Sequence, residues 1–249
     1  MSPRLLAIAL VAIAAGVLPA EAASPRVEAE HLPLLFNFGV SPSKLSAKRP
    51  TPARMSIAWK ARLDEESPVP ALRSVKIEAD KHLALELADV PVCSFGLHYD
   101  IRPSDIEERC RDAAVGHGRV GVEVRFPEEP AVSVSGQLTL YNRGRKPGGY
   151  DLLAHFFLSA PVAGEITFPI EVRKATGRYG WKATATIPKI AGGSGSITDY
   201  SLRIGRGFLR ATCSDGKLLL RATSVFLDGT VRRETAIRTC TVAEADPRQ

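Results

Sequence analysis

The chain has 249 residues, 45% hydrophobic and 24% charged, with a formal net charge of +6 and four cysteines. That length suits one large β domain or two small ones. No segment beyond residue 22 is long and apolar enough to span a membrane as a helix, and no internal repeat suggests a propeller.

In chain order, a basic segment ending at Arg4 comes first. It is followed by an apolar run from Leu5 to Leu18, a break at Pro19, and small residues Ala20 and Ala22 at the −3 and −1 positions of a cleavage site. The run is too short to cross a ~30 Å hydrocarbon core, and the layout is that of a secretory signal peptide over residues 1–22. Residues 23–34 are expected as a flexible N-terminal segment and 35–241 as the β domain, with 142–149 the place where it would divide. Residues 242–249 are expected as a tail.

Alternating apolar and polar residues mark half-buried strands. They recur in RMSIAWKAR (Arg54–Arg62), LRSVKIEA (Leu72–Ala79), VSVSGQLTLY (Val132–Tyr141), EITFPIEVR (Glu165–Arg173) and YGWKATATI (Tyr179–Ile187). The pattern continues through Ser196–Ile204, Lys217–Leu227 and Thr230–Cys240. Turn signals punctuate it at Arg145–Gly149, Gly192–Ser196, Asp215-Gly216 and Asp228-Gly229. Only residues 104–115 predict a helix. Ser104 and Glu107 form a capping box there. Asp105, Glu107 and Glu108 sit at the positive end of the helix dipole, with Arg109 and Arg111 further along. Ile106, Cys110, Ala113 and Ala114 make one buried stripe. The expected fold is all-β, an antiparallel β-sandwich with one short helix and two disulfides; a barrel is the other arrangement such strands allow.

Export makes disulfides the default for Cys93, Cys110, Cys213 and Cys240, with three pairings open. Local pairing, Cys93 with Cys110 and Cys213 with Cys240, closes the shortest loops. Cys110 faces the body from the helix stripe, where the loop carrying Cys93 can meet it. A zinc site built from Cys93, His98, Cys110 and His117 would lack the usual close cysteine pair, and no C-x-x-C marks a redox centre. For the second pair, a flat meander through the two Asp-Gly turns would hold the cysteines ~9.6 Å apart. That is beyond the ~7 Å reach of a disulfide. Either Cys213 lies past the end of its strand, or its strand belongs to the facing wall.

The runs PALRSVKIEADKHLALELADVPVC, CRDAAVGHG, LTLYNRG, YDLLAHFFLSAP and YGWKATATIPKIAGGSGSITDYSLRIGR, with the closing CSDGKLLLRATSVFLDG and Cys240, carry a likeness. Over most of its length the chain resembles a group of secreted bacterial β-rich proteins with no assigned activity. The resemblance implies export, β structure and the cysteine positions, and it brings no mechanism.

Catalytic patterns are sparse. No G-x-S-x-G elbow exists, and Ser41-Pro42-Ser43-Lys44 matches S-x-x-K only within a proline-rich stretch that lacks the helix this motif needs. His31, His82, His98, His117 and His155 form no H-E-x-x-H pair, and His155 reads as a strand histidine. Asp64-Glu65-Glu66 and Glu128-Glu129 read as solvated turns. No cofactor or metal is expected.

Charge is distributed unevenly. Ser24–Tyr141 holds 15 Lys and Arg against 17 Asp and Glu, whereas Asn142–Cys240 holds 16 against 7, a net of +9. Such an excess attracts anionic polymers. Arg143, Arg145, Lys146, Arg203, Arg206 and Arg210 are the candidate binding residues, with Arg173, Lys174, Arg178 and Lys182 in the same half. The expected function is that of an exported, non-enzymatic β-sandwich protein binding an anionic polymer or carbohydrate of the cell envelope, with no nucleic-acid partner. The competing expectation is a secreted hydrolase acting on a polysaccharide or ester.

Overall fold

The computed structural model describes residues 34–61, 68–94, 103–158 and 164–243, and these are mostly strand. The chain forms β1 (Leu34–Ser41), β2 (Lys44–Leu45), β3 (Thr51–Ala61), β4 (Leu72–Asp80) and β5 (Leu83–Leu85), then α1 (Pro103–Cys110), the single α-helix among the described residues. After it come β6 (Ala114–Val124), β7 (Val132–Lys146), β8 (Gly149–Leu158), β9 (Gly164–Lys174) and β10 (Tyr179–Thr186). The last strands are β11 (Gly195–Ala211), β12 (Lys217–Phe226), β13 (Val231–Thr239) and β14 (Thr241–Val242). The predicted signal peptide, His31, Asp64-Glu65-Glu66 and His98 lie outside the described residues, as does the side chain of Ser104 on which the capping box rests.

Period-two alternation sorts side chains to the two faces. On β3, Ala53, Met55, Ile57, Trp59 and Ala61 are buried, while Arg54, Ser56, Ala58 and Lys60 are exposed. The sheet runs β1-β3-β11-β6-β7-β8-β9-β10-β4-β12-β13, with β5 added beside β11. Every ladder along this path is antiparallel. The sheet curls until β1 meets β13, so the two walls expected of a sandwich are opposite sides of one continuous sheet that is nearly a barrel.

An odd number of strands in strict antiparallel order leaves the two edge strands running the same way. No ladder joins them among the described residues; instead Arg238 Nε on β13 donates to the Phe38 carbonyl on β1. Residues 142–149 form the β7–β8 hairpin inside this one sheet. β14 pairs in parallel with β2 as a separate two-residue ladder.

Both local disulfides are present, Cys93–Cys110 with Cα atoms 5.1 Å apart and Cys213–Cys240 at 6.1 Å. Cys213 lies just past the end of β11, and β12 sits across the barrel between β4 and β13. Both ways of closing the distance between these cysteines therefore operate. The first bridge ties α1 to the outer face of β7 and β8, where Ile106, Cys110 and Ala113 pack on Tyr141 and Leu153. The helix is shorter than the expected 104–115: it ends at Cys110, continues as a 3-10 turn over Arg111–Ala113, and turns extended at Ala114 (ψ 121°) to enter β6. Pairing of β6 with β7 and β11 outweighs local helix preference there.

Candidate functional site

The outward positions of β1, β3, β11 and β6 carry small or basic side chains, and strand register sets them in rows. One row is Gly39, Ser56, Arg203 and His117; the next is Asn37, Ala58, Ser201 and Arg119. The floor is low because little rises from it. Gly39 brings no side chain at all to its row, and a Cβ there would lie 2.9 Å from Ser56 Oγ. Arg54 stands opposite Ser41 at one end, and Arg238 reaches over from the seam. Together they border an open depression of about 1050 Å³ lined by Arg54, Arg119, Arg203, Arg238 and His117, with no carboxylate among its lining residues.

Hydrogen bonds hold two of these guanidinium groups without neutralising them. Arg119 Nη2 donates to Ser135 Oγ at 2.9 Å, and Arg238 Nη1 donates to the Ile237 carbonyl at 3.2 Å. Arg54 and Arg203 are exposed and carry no ion pair among the described residues. Like charges gathered over a low-dielectric floor with no counter-charge create a positive field aimed at solvent.

Of the six binding residues expected from sequence, Arg203 alone lines this depression. Arg210 is ion-paired with Glu86. Arg206 is exposed on the irregular stretch of β11 between Ile204 and Leu209. Arg145 and Lys146 are exposed at the β7–β8 hairpin, with Arg143 half-buried beside them. Elsewhere in the basic half, Arg173 pairs with Asp151 at 2.7 Å, and Arg178 with Asp80 and Asp215 at 3.6 and 3.5 Å. Lys174 and Lys182 are exposed on β9 and β10. Arg54, His117 and Arg119 come from the half whose net charge is not positive. Their signal was the outward parity of Arg54 on a predicted strand; its register against Arg203 is not written in composition.

Two histidines make contacts of chemical interest. Within the described residues, His82 Nε2 is 2.8 Å from Ser214 Oγ, and its Nδ1 is 3.0 Å from Thr212 Oγ1. The carboxylate that would orient a catalytic imidazole is absent from Nδ1: Asp80 accepts instead from the His82 backbone N–H at 3.0 Å. His155 Nε2 lies 2.7 Å from Glu165 Oε1, with side chains only 4% and 5% exposed. Burial lowers the imidazole pKa to about 4 and raises that of the carboxyl, which the Asp105 carboxylate raises further. Tyr141, 6.4 Å away ring to ring, helps to shut the pair under α1. Burial drives both groups toward their neutral forms. Ser41 and Lys44 of the S-x-x-K match end β1 and begin β2, so no helix holds them.

Neither a protein-family model, nor a curated protein, nor a solved structure matches the chain.

Proposed function

We propose that this chain is an exported, non-enzymatic β protein that binds an anionic polymer or carbohydrate of the cell envelope in the depression over β1, β3, β11 and β6. The observation that carries this reading is the meeting of four arginines and a histidine on a floor of small residues, with no carboxylate among the lining. Export is supported by the tripartite N-terminal sequence and by two disulfides. No described helix is long and apolar enough to cross a membrane. Secreted protein should begin at Ala23 or within a residue or two of it, and N-terminal sequencing that returned Met1 would remove the export claim.

Retention on immobilised heparin tests the binding site, because attraction between charges weakens as the Debye length falls from ~10 Å at 0.1 M salt to ~3 Å at 1 M. Wild-type protein should be held at the lower salt and released before the higher. Arg54→Gln/Arg203→Gln should elute markedly earlier, while Arg145→Gln/Lys146→Gln at the hairpin should elute like wild type. Equal shifts for both variants would mean that general surface charge binds, and no retention at 0.1 M would end the proposal.

The Ser214–His82 contact favours one second reading, a weak esterase. Neither Ser214 nor His82 lines the basic depression or the barrel cavity. Labelling by a fluorophosphonate that disappears in Ser214→Ala would establish it; an unlabelled wild type would dismiss it.

A further inference from the structure

The barrel interior encloses a second space, chemically unlike the basic depression. It is a cavity of about 180 Å³ whose walls run from Met55 and Ile57 to Phe156, Phe168 and Ile170, and among its lining residues Tyr200 carries the one hydroxyl. That Oη is buried and has no hydrogen-bond partner. Trp59 stacks on the Tyr200 ring, with centroids 5.5 Å apart and planes at 11°, and its buried Nε1 also lacks a partner. Burial raises the phenol pKa, so the group stays a donor at any ordinary pH.

Buried polar atoms in folded proteins are almost always paired, and two idle donors on adjacent stacked rings call for an acceptor. An apolar cavity on the order of 150 Å³ stays dry and accepts a molecule of benzene size. Apolar walls with a few placed polar groups are the usual make-up of a small-molecule site. Access is at hand as well. Tyr200, which lines the cavity, and Trp59 border a surface depression of about 630 Å³ that reaches Ala236 and Arg238 on β13, at the seam where no ladder among the described residues closes the sheet.

We propose that the barrel binds an uncharged, mainly apolar molecule about the size of a monosubstituted benzene, which enters at the β1–β13 seam and accepts a hydrogen bond from Tyr200 Oη. The ligand class is set by shape and chemistry: apolar faces for the walls and one carbonyl or ether oxygen for the phenol. Because the ligand is neutral, its binding is independent of the arginines outside and insensitive to salt.

Acetophenone and ethylbenzene, matched in size and differing in the carbonyl, are the probes. Ligand-observed NMR titrations would compare wild type with Tyr200→Phe, a change that keeps the ring stacked on Trp59. Acetophenone should bind wild type saturably at one site and more tightly than ethylbenzene. Tyr200→Phe should weaken acetophenone about three- to tenfold, the worth of one net hydrogen bond, and leave ethylbenzene unchanged. Absence of saturable binding by either probe would mean a packing void that takes up no ligand and would overturn the inference. So would a Tyr200→Phe variant that binds acetophenone as wild type does, or that loses both probes equally.

Discussion

At the scale of single residues, the pairing of β6 with β11 depends on having no side chain at Gly118. A Cβ there would sit 1.8 Å from the Ser201 carbonyl, a backbone atom that a rotamer change cannot move, whereas one on Gly164 would meet nothing within 4 Å. Gly118→Val should therefore cost at least ~2 kcal/mol in urea denaturation, in the upper range of overpacking penalties, and Gly164→Ala should be near neutral. His155 and Glu165 predict a pH effect with opposing signs. His155 is lowered to about 4, so below the ordinary imidazole value near 6.5 the unfolded chain takes up a proton that the folded chain refuses, and stability falls with acid. Glu165 is raised, so the folded state holds its proton more tightly, and its contribution is fullest at low pH and lost as pH rises through the folded value. Each group can contribute a slope of at most ~1.36 kcal/mol per pH unit. Removing the opposing group in Glu165→Gln should make stability fall more steeply than in wild type between pH 6.5 and 4.5; an unchanged slope would contradict the assignment.

Among elements, the two disulfides act on loops of different size. In the chain-entropy relation, bridges separated by 17 and 27 residues contribute about 3 and about 3.5 kcal/mol. Cys93→Ser/Cys110→Ser should lose roughly the first amount and free α1 from β7 and β8. Cys213→Ser/Cys240→Ser should lose slightly more, because it unties the end of β11 from the end of β13. Peptide mapping without reduction should recover only these two pairs. Strands with one wet face were legible in the sequence: β3, β4, β7 and β9 to β13 all carry an alternation that burial confirms in broad outline. β8 was not, because α1 covers its outer face. Leu153 and His155 are buried there as well as Leu152, Ala154 and Phe156, so the polar half of the pattern is missing. β6 was hidden for another reason, since Gly116 and Gly118 stand at inward positions where alternation needs apolar side chains, and Gly121 stands at an outward one where it needs a polar side chain. The disulfide pairing was legible from loop length and helix parity. The basic depression was not, because Arg54, Arg119 and Arg203 are brought together by register between strands distant in sequence.

For the whole molecule, the sheet sets where charge and apolar surface go. Closing it nearly into a barrel puts the alternating apolar set inside, around a small cavity, and sends every basic side chain of the rows outward. Net charge by halves of the chain said little about this surface. Three arginines of the basic half, Arg173, Arg178 and Arg210, are paired with carboxylates, whereas Arg203, which has no such ion pair among the described residues, joins Arg54, Arg119 and Arg238 over β1, β3, β11 and β6. The claim that this depression is the binding site is tested most directly by where an anionic carbohydrate touches the protein. A titration with a sulfated oligosaccharide, followed by amide NMR at 0.1 M salt, should move the signals of Gly39, Ser56, His117, Gly118, Ser201 and Arg203 as one saturating set and leave those of the β7–β8 hairpin in place. Shifts scattered over all exposed lysines and arginines, or concentrated at the hairpin, would contradict it.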